Sequence, residues 1–206
     1  RTVQMFPDLA LRELIANALT HQDFSITGTG PTVEIFEDRI EITNPGAPLV
    51  SPDRFIDSPP RSRNEQLASL MRRGGICEER GSGWDKICFN VEVHQLPAPL
   101  IEVTGEHTRI TLFSHKDLNE MDRTDRVRAV YLHACLKYVS RQKVTNTTIR
   151  ERFGIKVQNS ARASRLIREA VEDGRITPRD ASAAKKLMEY VPWWAAPSLD
   201  VPPSVA

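Results

Sequence analysis

Apolar positions recur at helical spacing in some stretches of this chain and alternate with polar ones in others. Leu11, Leu14, Ile15, Ala18 and Leu19 fall at helical spacing and predict a helix from Asp8, which can cap it, to about His21, with those five residues as its buried stripe. A Ser/Thr/Gly loop, Phe24 to Gly30, follows. Thr32 to Phe36 and Arg39 to Thr43 then alternate across the short Glu37-Asp38 connection and predict an antiparallel hairpin. Its Ile40 and Ile42 face a core, and Arg39 and Glu41 face water. Asn44-Pro-Gly-Ala-Pro48 breaks the strand, and Pro52, Pro59 and Pro60 make Val50 to Arg63 an irregular loop. A helix is expected from Asn64 to Arg73, with Leu67, Leu70 and Met71 apolar and Gly74-Gly75 ending it. Gly81 and Gly83 precede another, from Trp84 to about Val91, and Leu100 to Val103 with Arg109 to Phe113 form a second hairpin around Gly105.

Ser114 to Thr124 is polar and reads as a linker. Beyond it, Val127, Val130, Tyr131, Ala134, Cys135 and Tyr138 share one face of a helix from Arg126 to Val139. Thr145 or Asn146 caps a short helix through Phe153. Asn159 or Ser160 caps a longer one that buries Ala163, Leu166, Ile167, Ala170 and Val171 and closes at Gly174. Arg175 to Thr177 and Leu187 to Tyr190 are expected to pair across a basic loop. Three helices and a hairpin is the order of a winged helix. Glu189 to Ala195 reads as a packing strand, with Trp193 and Trp194 covering the core edge or touching the first domain.

The length, 206 residues, suits two domains better than one. No apolar run of about 18 residues occurs, so no membrane-spanning helix is implied, and no signal peptide is visible in Arg1 to Phe6. Cys77, Cys88 and Cys135 form no C-x-x-C pair or zinc set and read as reduced structural thiols, which points to the cytoplasm. The net charge of +1 conceals an asymmetry. Residues 1–121 hold 12 Lys/Arg and 18 Asp/Glu, a balance of −6, whereas residues 122–206 hold 16 and 9, a balance of +7. Only the second half is suited to a polyanion.

Glu13, Asn17 and His21 are spaced by four and share one polar helix edge beside the apolar stripe. That edge is either a solvated face or a site. In a site, a carboxylate orients water, and an Asn carbonyl is a hard oxygen ligand suited to phosphate-bound Mg²⁺. The remaining histidines, His94, His107, His115 and His133, form no cluster in sequence, and His21 either touches a ligand or hydrogen-bonds the Asp23 loop.

The string Leu11-Arg-Glu-Leu-Ile-Ala-Asn-Ala-Leu-Thr-His21-Gln-Asp-Phe24 resembles the E-x-x-x-N-A box of the GHKL ATPase superfamily. It is closer to the bacterial subgroup described as RecG-like C-terminal. Arg39-Ile-Glu-Ile-Thr-Asn-Pro-Gly46, Arg63-Asn64 and Ile76-Cys-Glu-Glu-Arg-Gly81-Ser-Gly83 resemble later motifs of that subgroup in the same order. The resemblance implies a GHKL-like α/β sandwich domain over residues 1–116. With the winged-helix order of elements over 122–195 and a proline-rich, flexible tail over 196–206, the expected fold class is α+β. The resemblance implies ATP and Mg²⁺ as cofactors, Glu13 as a water-orienting base and Asn17 as the Mg²⁺ ligand. Asn44 would stand where GHKL enzymes use an Asp to accept the adenine amino group, Gly46 would allow close approach of the base, and Gly81 and Gly83 would bring backbone N–H groups to the phosphates. The chain departs from the pattern at Pro48 and in a glycine box reduced to Gly81-Ser82-Gly83. No lysine is evident for the γ-phosphate, although Arg61, Arg63, Arg72, Arg73 and Arg80 are near in sequence. ATP hydrolysis is therefore not favoured. No G-x-x-x-x-G-K-[ST] occurs, so no P-loop helicase motor is present.

In the second domain Ser160, Arg162, Arg165 and Arg168 occupy the non-apolar face of the long helix, Lys156 and Gln158 lie just ahead of it, and Arg175, Arg179, Lys185 and Lys186 follow. Residues near the start of such a helix meet base edges, and wing cations meet phosphates. The expected partner is double-stranded DNA, with a solvated or protein-packing face as the other reading. The leading expectation is a bacterial DNA-binding transcriptional regulator with an ATP-sensing domain. The alternatives are a Mg²⁺-dependent GHKL ATPase acting with DNA, and a degenerate GHKL scaffold for dimerisation that would make a homo-oligomer. An upstream domain, Schlafen-like by the same resemblance, is expected ahead of Arg1.

Overall fold

The computed structural model describes residues 5–76, 83–184 and 187–196. The chain divides into two compact units, Arg1–Met121 and Asp122–Ala206.

The first unit is a four-stranded antiparallel sheet with helices packed on it. Helix α1 (Asp8–His21) leads into strands β1 (Thr32–Ile35) and β2 (Arg39–Pro45). Helices α2 (Glu65–Arg73) and α3 (Gly83–Val93) precede strands β3 (Leu100–Thr104) and β4 (His107–Phe113). The strand order is β1-β2-β4-β3. Pairing of Ile40 with Leu112, and of Ile42 with Ile110, puts these four on one face. They form a core with Ala10, Leu14 and Ala18 of α1, Ile87 and Val91 of α3, and Phe6 and Leu96. The outward placement of Arg39 and Glu41 holds, and the two join in a salt bridge of 2.7 Å.

Helix α1 departs from the expected stripe. Ile15 and Leu19 are exposed, while Glu13, Ala16 and Thr20 are buried. One side of α1 meets the sheet through Ala10, Leu14 and Ala18. Another lies against α3, whose first residue, Gly83, has no room for a side chain beside Glu13. Small residues permit this approach, and a hydrophobicity pattern does not register them as a buried face. Asp8 is the first helical residue rather than the cap, which is Pro7. On α2 it is Ala68 and Met71 that are buried, and Leu70 is exposed.

In the second unit, helix α4 (Arg123–Val139) is capped by Asp122, whose side chain accepts from the Asp125 N–H. Helix α5 (Asn146–Arg152) begins with a capping box built on Thr145 and Thr148. A single 3-10 turn, Val157–Asn159, runs into helix α6 (Ser160–Glu172). Strands β5 (Ile176–Pro178) and β6 (Tyr190–Pro192) make a two-stranded antiparallel sheet. The second of these begins at the last residue of the expected Leu187 to Tyr190 strand and continues past it. Val191 and Pro192 are buried there, whereas Leu187 is exposed. Trp193–Ala195 is a 3-10 turn rather than a strand. Its Trp194 donates Nε1–H to the Tyr131 hydroxyl at 3.0 Å and meets Tyr138 edge to face. Cys88 and Cys135 are buried and form no disulfide among the described residues, and Cys77 lies outside the described residues.

Candidate functional site

The site grows from the end of the sheet. One pair beyond Ile42 and Ile110, on the same face, Asn44 opposes Thr108. Both are buried. The apolar floor thus ends in a polar pair, and the chain turns away at Pro45-Gly46. Gly46 has φ +119, a conformation L side chains rarely adopt. A β-carbon there would lie 3.0 Å from the His21 carbonyl oxygen and 3.2 Å from the Asp23 nitrogen. Thr108 donates its hydroxyl to the Gly46 carbonyl at 2.7 Å, and the Gly46 N–H donates to the Glu106 carbonyl. Asn44 donates Nδ2–H to the Pro45 carbonyl at 3.2 Å. That leaves Oδ1 as its acceptor.

A cavity of about 190 Å³ opens over this end of the sheet. Helix α1 contributes Asn17 and His21, β2 and its turn contribute Asn44 and Gly46, and Gly83 enters from the start of α3. The polar edge of α1 therefore faces a pocket and a helix end, not open solvent. A β-carbon on Gly83 would lie 2.9 Å from Glu13 Oε2 and 3.7 Å from the Asn17 amide. The carboxylate of Glu13 is only 2% exposed, sits at the first residue of α3, and is not among the residues lining the cavity. Gly81, expected beside Gly83, lies outside the described residues. Among the described residues no group of three or more His, Cys, Asp or Glu could cage a metal. The hard oxygen of Asn17 at the cavity wall suits a Mg²⁺ ion that brings its own phosphate and water ligands.

The roles of several residues at the site escaped sequence reasoning. Phe55 and Trp84 line the cavity and meet edge to face, with ring centroids 5.4 Å apart. Thr108 lines it as the partner of Asn44. Arg63 braces the site: its guanidinium donates to the His21 carbonyl (3.2 Å), the Asp23 carboxylate (3.0 Å) and the Ala47 carbonyl (2.8 Å). Asn64 donates Nδ2–H to the Thr20 and Gln22 carbonyls at 3.1 and 2.8 Å. The Arg63-Asn64 pair therefore closes the open carbonyl end of α1 and ties it to the turn that walls the cavity. Burial, and then the Arg63 charge, lower the pKa of His21 below its ordinary 6.5, which favours the neutral imidazole. Two hydrogen bonds from Ser25, with Arg63, hold the Asp23 carboxyl below its ordinary range.

In the second unit Lys156, Gln158, Ser160, Arg162, Arg165 and Arg168 are all exposed on α6 and the turn before it. Two of the expected wing cations have acidic neighbours. Arg175 is half-buried, 3.6 Å from Asp173, and Arg179 lies 3.8 Å from Glu189. Lys185 and Lys186 lie outside the described residues. Glu169 faces α4 instead of solvent, pairing with Arg126 at 3.0 Å.

Comparison with known proteins bears mainly on the first unit. No curated protein matches the sequence. Among solved structures the chain is similar to the DIP2311 protein from Corynebacterium diphtheriae, at 13% identity and a TM-score of 0.52. That likeness covers 93% of this chain and 51% of the other, so the chain spans about half the length of that protein, and it bears on fold alone. No helix among the described residues is long and apolar enough to cross a membrane. Residues 28–112, from the loop after α1 to the end of β4, match the family described as "Putative ATP-dependent DNA helicase recG C-terminal". The first unit therefore contains a RecG C-terminal-like, ATPase-like domain.

Proposed function

We propose that the protein is a DNA-binding regulator whose first unit binds an adenine nucleotide with Mg²⁺ and whose second unit is a winged helix. One observation carries the nucleotide reading: Asn17, His21, Asn44, Gly46 and Gly83, drawn from separate stretches of sequence, line a single cavity. Asn44 Oδ1 is the acceptor for the base, and the Phe55–Trp84 wall suits a flat ring. The start of α3 at Gly83 offers backbone N–H groups to an anion. Glu13 is nearly enclosed where it would have to hold a water, which favours binding over turnover. The DNA reading rests on the helix-helix-helix-hairpin order and on the exposed Arg162, Arg165 and Arg168 of α6.

Calorimetric titration with ATP and Mg²⁺ tests the first half. Binding is expected, with Asn44→Leu weakening it about tenfold through the lost hydrogen bond. A wild-type protein that takes up no nucleotide removes this reading and leaves the dimerisation scaffold. Phosphate release that vanishes in Glu13→Gln would instead favour the ATPase. The second half is tested by gel shift with duplex DNA. Changing Arg162, Arg165 and Arg168 to Glu is expected to abolish the shift, and unchanged affinity removes α6 as the reading head.

A further inference from the structure

The cavity sorts the arginines near it in sequence. Arg63 is committed to the His21 and Ala47 carbonyls and the Asp23 carboxylate. Arg72 and Arg73 lie in the last turn of α2 and do not line the cavity. Arg61 does line it, and it is the one Lys or Arg among the described residues that does. Its side chain is exposed and makes no hydrogen bond or ion pair among the described residues. Two residues further on, the Arg63-Asn64 anchor fixes the backbone to α1, so the segment Ser58 to Arg61 is held against the cavity instead of trailing into solvent.

We propose that Arg61 is the residue that meets the anionic part of the ligand, in the place for which the sequence offers no lysine. This rests on the nucleotide reading above. A guanidinium presents a planar fork of donors that matches two phosphate oxygens at once. Among the described residues the cavity otherwise offers neutral groups, such as the amides of Asn17 and Asn44, the Thr108 hydroxyl, and an imidazole whose surroundings favour its neutral form. A charged ligand in a site of this kind takes its charge complement from Arg61 and the start of α3. The ligand class this fits is a nucleoside bearing at least one phosphate, rather than a free nucleoside or base.

The test is the affinity of the full chain for adenosine, AMP, ADP and ATP, with and without Mg²⁺, in the wild type, Arg61→Gln and Arg61→Lys. Arg61 is exposed, so neither change threatens the fold. Arg61→Gln is expected to weaken binding of the phosphorylated ligands about tenfold and to leave adenosine unchanged. Arg61→Lys should recover part of the loss, and the first member of the series to feel the substitution identifies the phosphate that Arg61 meets. An Arg61→Gln protein that binds every ligand as the wild type does overturns the assignment, as does one that loses adenosine and ATP equally. Wild-type protein that binds none of the four removes the nucleotide reading itself, a different result from an intact series unaffected by Arg61.

Discussion

At the scale of single residues, the site is shaped by one backbone turn and by an imidazole that burial shifts toward its neutral form. Gly46→Ala would place a methyl group in a positive-φ turn, 3.0 Å from a carbonyl oxygen fixed at the end of α1. The expected cost is about 1–3 kcal/mol, read by urea denaturation, together with loss of ligand binding. His21 gives a prediction in pH. Its pKa is lowered in the fold, so folding holds the ring neutral, and acid must protonate it at the expense of the native state. Stability owed to this residue is present above about pH 6.5 and is lost as pH falls through the lower folded value. Melting temperatures measured between pH 7.5 and pH 5 should fall less steeply in His21→Gln than in the wild type. The sequence made the polar edge of α1 and the two glycine turns legible, because local spacing and resemblance both mark them. It left Thr108 and Phe55 dark, and the resemblance marked Arg63-Asn64 as a motif without giving its structural role. Each acts on a partner far along the chain, and spacing alone does not show an Arg-Asn pair capping a helix more than 40 residues away.

Among the elements, the second unit illustrates how caps and cross-braces set a helix in place. Asn146 at the start of α5 donates to the Ser160 carbonyl and the Ser164 hydroxyl of α6, at 3.0 and 2.9 Å. This bond pair fixes the angle at which α6 leaves the turn. The helix start itself rests on Thr145, so Thr145→Ala is expected to cost about 1 kcal/mol, measured by chemical denaturation. Deleting a fully enclosed side chain costs more: Ile149→Ala, at 0% exposure, should lose about 2–5 kcal/mol. Helices here were legible from period and caps, including Thr145 before α5 and Gly174 after α6. The short β6 was not. A three-residue strand carries too few positions to show alternation, and its register is set by pairing Ile176 with Pro192, a fact of tertiary structure. The exposure of Ile15 and Leu19 has a similar origin, since α1 turns its small side chains toward α3 and leaves larger ones outside.

For the whole molecule, the charge division matters more than the sum. A protein of net charge +1 and pI near 7.9 should pass a cation exchanger weakly at neutral pH. With +7 gathered in residues 122–206, this one is expected to be retained on heparin at low salt. If α6 meets phosphates, the dependence of log affinity for DNA on log salt should flatten by about 0.9 for each cation removed, measured across single Arg162, Arg165 and Arg168 substitutions to Ala. The acidic first unit has no such outlet, and its architecture has a temporal side. The last carbonyls of α1 receive their donors from Arg63 and Asn64, 42 and 44 positions downstream. On the ribosome α1 emerges before those donors and must wait, its final turn bare to water, until the hairpin of β1 and β2 and the proline-rich stretch behind it have been made. Completion of the cavity rim is thus a late event of synthesis, and a nascent chain stopped short of Arg63 would display the helix without the pocket.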